Sequence, residues 1–122
     1  MNKLFKLDYY RMTGNKYKLS VKSCIELMFK NNLKFVWVLR KLQTPACKPL
    51  KPFLQLYRFH LSKKHGLDIH PNTKIGKGFA LFHAYCIAIN SDSVLGDNIN
   101  ISKGVTIGVS HRGKYKGCPT NR

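Results

Sequence analysis

The chain has 122 residues, 43% of them hydrophobic, and carries 22 lysines and arginines against five acidic residues, a formal charge of +17. That length favours one domain with a modest core, and the longest unbroken aliphatic and aromatic run, Phe35–Leu39, is far too short to cross a membrane. The charge favours anionic partners, while Cys24, Cys47, Cys86 and Cys118, widely spaced and without a CxxC pair or zinc-finger spacing, argue against a disulfide framework and against a bound metal.

The opening stretch, MNKLFKLDYYRMTGNK, has neither an uninterrupted apolar segment nor a small-residue cleavage site. No secretory signal is expected, so the thiols should be reduced and the protein cytoplasmic. From Leu19 to about Gln43, apolar residues such as Cys24, Leu27, Met28 and Leu39 fall at helical spacing, and NNLK is where this run divides into two helices. Thr44 and Pro45 mark its end. A further helix follows in PLKPFLQLYRFHLSKKHG, with Leu50, Phe53, Leu54, Tyr57 and Leu61 as an apolar stripe and Gly66 as its C-terminal cap. His60 and His65 on this helix read as exposed or half-buried bystanders.

After Gly66 the period changes. Ile69, Ile75, Leu81 and Ile87 are six apart, and Ile89, Leu95, Ile101 and Ile107 repeat the spacing in a phase shifted by two. Six fits neither a helix nor a hairpin ladder; it fits a parallel β-helix built from hexapeptides, each giving a short strand and a corner. The aliphatic residues should point inward and stack from coil to coil. Gly76, Gly96 and Gly108 follow three of them, where backbones crowd, and Asn72, Asn90 and Asn98 suit corners. The phase shift predicts a bulge or a longer corner between Ile87 and Ile89.

The segment DIHPNTKIGKG, HAYCIAIN and LGDNINISKGVTIGVSHRGKYKGCPT, from Gly66 to Thr120, resembles the serine O-acetyltransferase family of hexapeptide acyltransferases, and is most similar to the shorter members associated with capsule or exopolysaccharide synthesis. The resemblance implies an α+β chain: a helical N-terminal cap over residues 1–66, then a left-handed parallel β-helix over residues 67–122. It implies acetyl-coenzyme A as co-substrate, lying between the subunits of a homotrimer, no metal, and a role in cysteine or polysaccharide biosynthesis. It makes His83 the general base and Asp68 its carboxylate partner. The chemistry asks for such a pair, because a hydroxyl is a poor nucleophile at neutral pH until a positioned imidazole takes its proton. Fifteen residues separate Asp68 from His83, close to one coil of three hexapeptides, which would bring them near each other on adjacent coils. His70 belongs to the same motif and is read as structural or substrate-lining. Arg112, Lys114 and Lys116 stand in a polar loop stretch and are cations suited to coenzyme A phosphates.

Two departures bear on the acceptor. Phe82 stands where serine acetyltransferases usually carry an Asp immediately before the base, and Gly117–Pro119 where they usually carry Arg-His-Pro. This weakens serine as acceptor and makes a sugar hydroxyl credible, with Phe82 beside it. In the family, GCPT is followed by several more coils, whereas this chain ends at TNR. A truncated member with weak or no activity is therefore expected. Two other functions compete. One is a non-catalytic module that joins full-length trimers. The other is a basic binding protein, with no nucleic-acid motif but with a membrane-surface candidate in NLKFVWVLRKL around Trp37.

Overall fold

The computed structural model describes residues 3–44 and 49–108. Four helices come first: α1 (Lys3–Thr13), α2 (Val21–Phe29), α3 (Asn31–Gln43) and α4 (Lys51–His65). Ser20 caps α2, its hydroxyl accepting the Ser23 backbone N–H. Lys30, in extended backbone, ends α2 and begins α3, so the break falls just ahead of the two asparagines. Thr44 caps α3 as expected, and Gly66 ends α4 in the left-handed region at φ 67°. At that conformation a residue with a Cβ is strained.

Seven short strands follow: β1 (Leu67–Ile69), β2 (Lys74–Ile75), β3 (Ala80–Phe82), β4 (Ile87–Ile89), β5 (Val94–Leu95), β6 (Asn100–Ser102) and β7 (Thr106–Ile107). Each of β1 to β4 pairs in parallel with the strand three further on, giving the orders β1-β4-β7, β2-β5 and β3-β6. The chain thus winds round three faces, and the hexapeptide period is the length of one face. Ile69, Ile89 and Ile107 stack in register, as do Ile75 with Leu95 and Leu81 with Ile101. The predicted inward residues are buried, apart from Ile75 and Ile107, which are half-buried.

The two-residue phase shift has a different origin from the one expected. β4 is regular through Ile87 and Ile89, paired residue for residue with Leu67 and Ile69. The extra residues lie earlier, in the corner His83–Cys86. The first coil therefore advances twenty residues, from Asp68 to Ala88, while the next advances eighteen, from Ala88 to Thr106. Among the crowded glycines, Gly76 fits its expectation, since a Cβ there would meet the Gly96 carbonyl at 2.6 Å, whereas one on Gly108 meets nothing within 4 Å among the described residues. Of the corner asparagines, Asn98 is left-handed (φ 57°).

Helices and coil share one apolar core. Phe5, Leu33, Phe35, Val36, Val38 and Leu39 join Leu67, Ile69, Leu81 and Ile87 in a single cluster. α3 is its central helix. The stripe expected on α4 is only partly inward: Leu61 is buried and Leu54 half-buried, but Leu50, Phe53 and Tyr57 are exposed. A buried ion pair absent from the sequence reading locks the two parts together. The Arg40 guanidinium donates to both Asp8 carboxylate oxygens (Nε to Oδ2, 2.6 Å) and to the carbonyls of Ile75 and Gly76, while the Phe79 N–H donates to Asp8 Oδ1 at 2.8 Å. Burial pushes the Asp8 carboxyl up, against the lowering exerted by Arg40 and by the backbone at Phe79 and Gly78.

Candidate active site

The longer corner carries the motif histidine. His83 and Cys86 both sit in the left-handed region, at φ 50° and 53°. Non-glycine residues persist there only when their surroundings hold them, and such positions gather at functional sites. Here the support is explicit. The Tyr85 N–H donates to the His83 carbonyl at 2.7 Å, the Cys86 N–H to His65 and the Ile87 N–H to Gly66, both at 3.0 Å. From α3, Asn31 Nδ2 donates to the Tyr85 hydroxyl at 2.9 Å, and Asn32 Nδ2 donates to the Leu81 carbonyl at 2.9 Å. The His65 ring meets the Tyr85 ring edge-on at 5.5 Å.

His83 itself is exposed. It stands on the wall of a concavity of about 400 Å³ between the end of α1 (Met12, Thr13), the α2–α3 link (Phe29 to Leu33) and the corner (Phe82 to Tyr85). Among the described residues no carboxylate lines it. Its polar groups are Thr13, Lys30, Asn31, Asn32 and His83, and its aromatic ones Phe29, Phe82 and Tyr85.

Asp68 lines a different depression. It is the outward residue of β1, between buried Leu67 and Ile69, and it shares that depression with Arg58, Ser62, Lys63 and His70. No hydrogen bond or ion pair among the described residues joins it to His83. Asp68 is in register with Ala88, five residues beyond the histidine. His70 uses Nδ1 to accept the Asn72 N–H at 3.1 Å, which closes its own corner. Phe82 is half-buried beside His83. Phe82 and His83 line one concavity, and Asp68 and His70 line the other depression. Arg112, Lys114 and Lys116 lie outside the described residues.

Asn31, Asn32, His65 and Tyr85 were missed as supports of the site. His65 is buried, not a bystander, and burial together with the neighbouring Lys64, Lys34 and His60 charges holds its ring below the usual imidazole range. The available signals were weak: an asparagine pair at a helix start, and a tyrosine two residues after the motif histidine.

No family model matches the chain. It is 40% identical over 81 residues to Serine acetyltransferase 5 of Arabidopsis thaliana, spanning 66% of this chain and 24% of that protein. It is 40% identical over 52 residues to the serine acetyltransferase of Helicobacter pylori, spanning 43% and 29%. Over 57 residues it is 40% identical to Escherichia coli WcaB, described as a colanic acid biosynthesis acetyltransferase, spanning 47% and 35%. The chain thus spans about a third or less of the length of these curated relatives. In fold it is similar to the crystal structure of Neisseria gonorrhoeae serine acetyltransferase (TM-score 0.69, 24% identity), covering 97% of this chain and 45% of that one. The soybean enzyme complexed with serine is similar at TM-score 0.63 and 21% identity, covering 95% and 46%.

Proposed function

We propose, from the premise that this chain is a homologue of the serine acetyltransferases over part of its length, that it transfers acetyl from acetyl-coenzyme A to a hydroxyl with His83 as general base. The observation that carries this is the His83 corner. The motif histidine is exposed at a left-handed position, in a corner held by hydrogen bonds from α3 and α4, on the wall of a concavity sized for a small acceptor. In the proposed step His83 accepts the proton of the acceptor hydroxyl as that oxygen bonds to the thioester carbonyl carbon. The carbon–sulfur bond breaks, and the imidazolium returns the proton to the departing sulfur. Asp68 enters on the motif alone, as a carboxylate that would orient the base. Arg112, Lys114 and Lys116 enter on charge alone, as phosphate contacts. The left-handed winding, the division into a cap over 1–66 and a coil over 67–122, and the homotrimer rest on the family resemblance.

For the acceptor, a sugar hydroxyl is favoured over serine. An amino acid brings an ammonium group, and among the described residues the concavity offers Lys30 and no carboxylate to receive it. Amide and hydroxyl side chains beside three aromatic rings suit a neutral polyol with apolar ring faces. The test is thiol release from acetyl-coenzyme A under single-turnover conditions, with hexoses, N-acetylhexosamines and serine as acceptors. His83→Ala should lower the rate about 10²–10⁴-fold. An unchanged rate in that variant would remove the base assignment, and turnover with serine alone would remove the sugar. No turnover with any acceptor, combined with stable association with a full-length serine acetyltransferase, would favour the interaction module instead.

A further inference from the structure

The helical part carries an apolar face that nothing in the described chain covers. On α4, Phe53 and Leu56 are 71% and 68% exposed, with Leu50, Tyr57 and Phe59 on the same outward arc. On α2, Val21, Ile25, Met28 and Phe29 are exposed at helical spacing, and Val21 is 77% exposed. α3 lies between these two helices, and a groove of about 390 Å³ takes its walls from all three, including Met28 of α2, Trp37 of α3 and Tyr57 of α4. Met28 and Tyr57 belong to the two exposed rows, so the groove lies between them. Exposed apolar surface of this extent marks a contact surface.

The charge around this face is of one sign. Residues 1–66 hold fifteen of the 22 basic residues and two of the five acidic ones. Both acids are engaged internally: Asp8 is buried against Arg40, and Glu26 accepts the Tyr9 hydroxyl and pairs with Lys30. The cations, by contrast, border the apolar row. Lys34 lines the groove, Lys41 lies over the Trp37 ring at 5.8 Å, and Lys63 lies over the Phe59 ring at 4.6 Å. The stretch singled out in the sequence for membrane contact, around Trp37, is the core helix α3, so the surface falls on its neighbours α2 and α4.

We propose that the α2–α4 face docks on an anionic lipid bilayer. Apolar and aromatic side chains enter the headgroup boundary while the surrounding lysines meet lipid phosphates, the arrangement of interfacial helices. Charge complementarity selects this occupant. A second copy would bring an equally cationic face, and valine, leucine and methionine side chains gain nothing from a nucleic-acid backbone. The test is independent of the acetyl-transfer chemistry: Phe29 belongs to both surfaces, but none of the residues changed below, Phe53, Leu56 and Lys63, lines the His83 concavity.

The 122-residue chain is sedimented with vesicles of phosphatidylcholine alone and of phosphatidylcholine with one-quarter phosphatidylglycerol. Binding should be at least about tenfold tighter to the anionic vesicles. Phe53→Ser/Leu56→Ser, which keeps every charge and lies at exposed positions, should weaken that binding about tenfold or more while the circular dichroism stays unchanged. Lys63→Gln should weaken it about fivefold. Anionic binding that is indifferent to the Phe53→Ser/Leu56→Ser change would reduce the effect to diffuse charge and overturn the proposal. So would the absence of vesicle binding at low salt. Self-association, or binding to single-stranded DNA, that the double variant abolishes while vesicle binding persists would assign the face to that partner instead.

Discussion

At the scale of single residues, Asp8 and Arg40 decide how the helices meet the coil. Both are essentially inaccessible, and Arg40 bridges α1, α3 and the corner at Ile75–Gly76. Removing one partner leaves the other charge buried and uncompensated. Asp8→Ala should therefore cost about 3–5 kcal/mol in urea denaturation, and adding Arg40→Met should recover much of it. Failure of the second change to recover stability would mean that packing, not charge, dominates there. His65 gives a pH dependence whose sign is fixed. Its folded-state pKa lies below the ordinary 6.5, so the folded state holds fewer protons than the unfolded chain between those two values. Its contribution is intact above pH 6.5 and is lost as pH falls through the lowered folded value. The urea midpoint should drop from pH 7.5 to pH 5.5, and His65→Gln should make that drop smaller. Equal drops in both proteins would remove His65 as the cause.

At the scale of elements, the corner is the informative unit. β-strands of two or three residues make few hydrogen bonds, so close stacking of coil on coil must hold them. Gly76 lies at such a contact, with the Gly96 backbone where its Cβ would be. Gly76→Ala should destabilise the chain by about 1–3 kcal/mol, while Gly108→Ala, where no described residue comes within 4 Å of the new Cβ, should be near neutral. Similar values for the two, read from thermal melts, would show that the coils tolerate spreading. The corner at His83 is of another kind. It is two residues longer than its counterpart one coil later, and its left-handed residues are held by α3 and α4 rather than by the coil alone. The helices thus shape the place where the proposed chemistry occurs.

For the whole molecule, the shared core implies one cooperative unit. Phe35, Val38 and Leu39 of α3 belong to the same cluster as Ile69, Leu81 and Ile101 of the coil. Ile101→Asp buries an unpaired charge in that cluster and should cost several kcal/mol. Because the cluster is common, the variant should lose helical circular dichroism at the same lowered urea midpoint as it loses amide protection at Ile87–Ile89. A helical signal that keeps its original midpoint would show that the two parts fold independently. The cationic, apolar face of α2 and α4 is also a property of this scale, since it exists only because α3 occupies the centre and leaves its neighbours half uncovered.

The sequence by itself determined the elements and their periods: helices before Gly66, coils after it, the inward aliphatic residues, the cap at Gly66 and the motif histidine. These are legible because helix and hexapeptide each impose a fixed repeat on which residues face inward. Only the tertiary structure decided what depends on meetings between distant segments. It located the phase shift in the His83 corner, because strand pairing and not spacing fixes register. It set Asp68 opposite Ala88, because the first coil advances twenty residues and not eighteen. It paired Asp8 with Arg40 and seated His65, Asn31 and Tyr85 together, contacts between residues 20 to 54 positions apart that no local pattern records. It turned Phe53 and Tyr57 outward as well, because an amphipathic stripe states that a helix has an apolar side but not which neighbour is present to cover it.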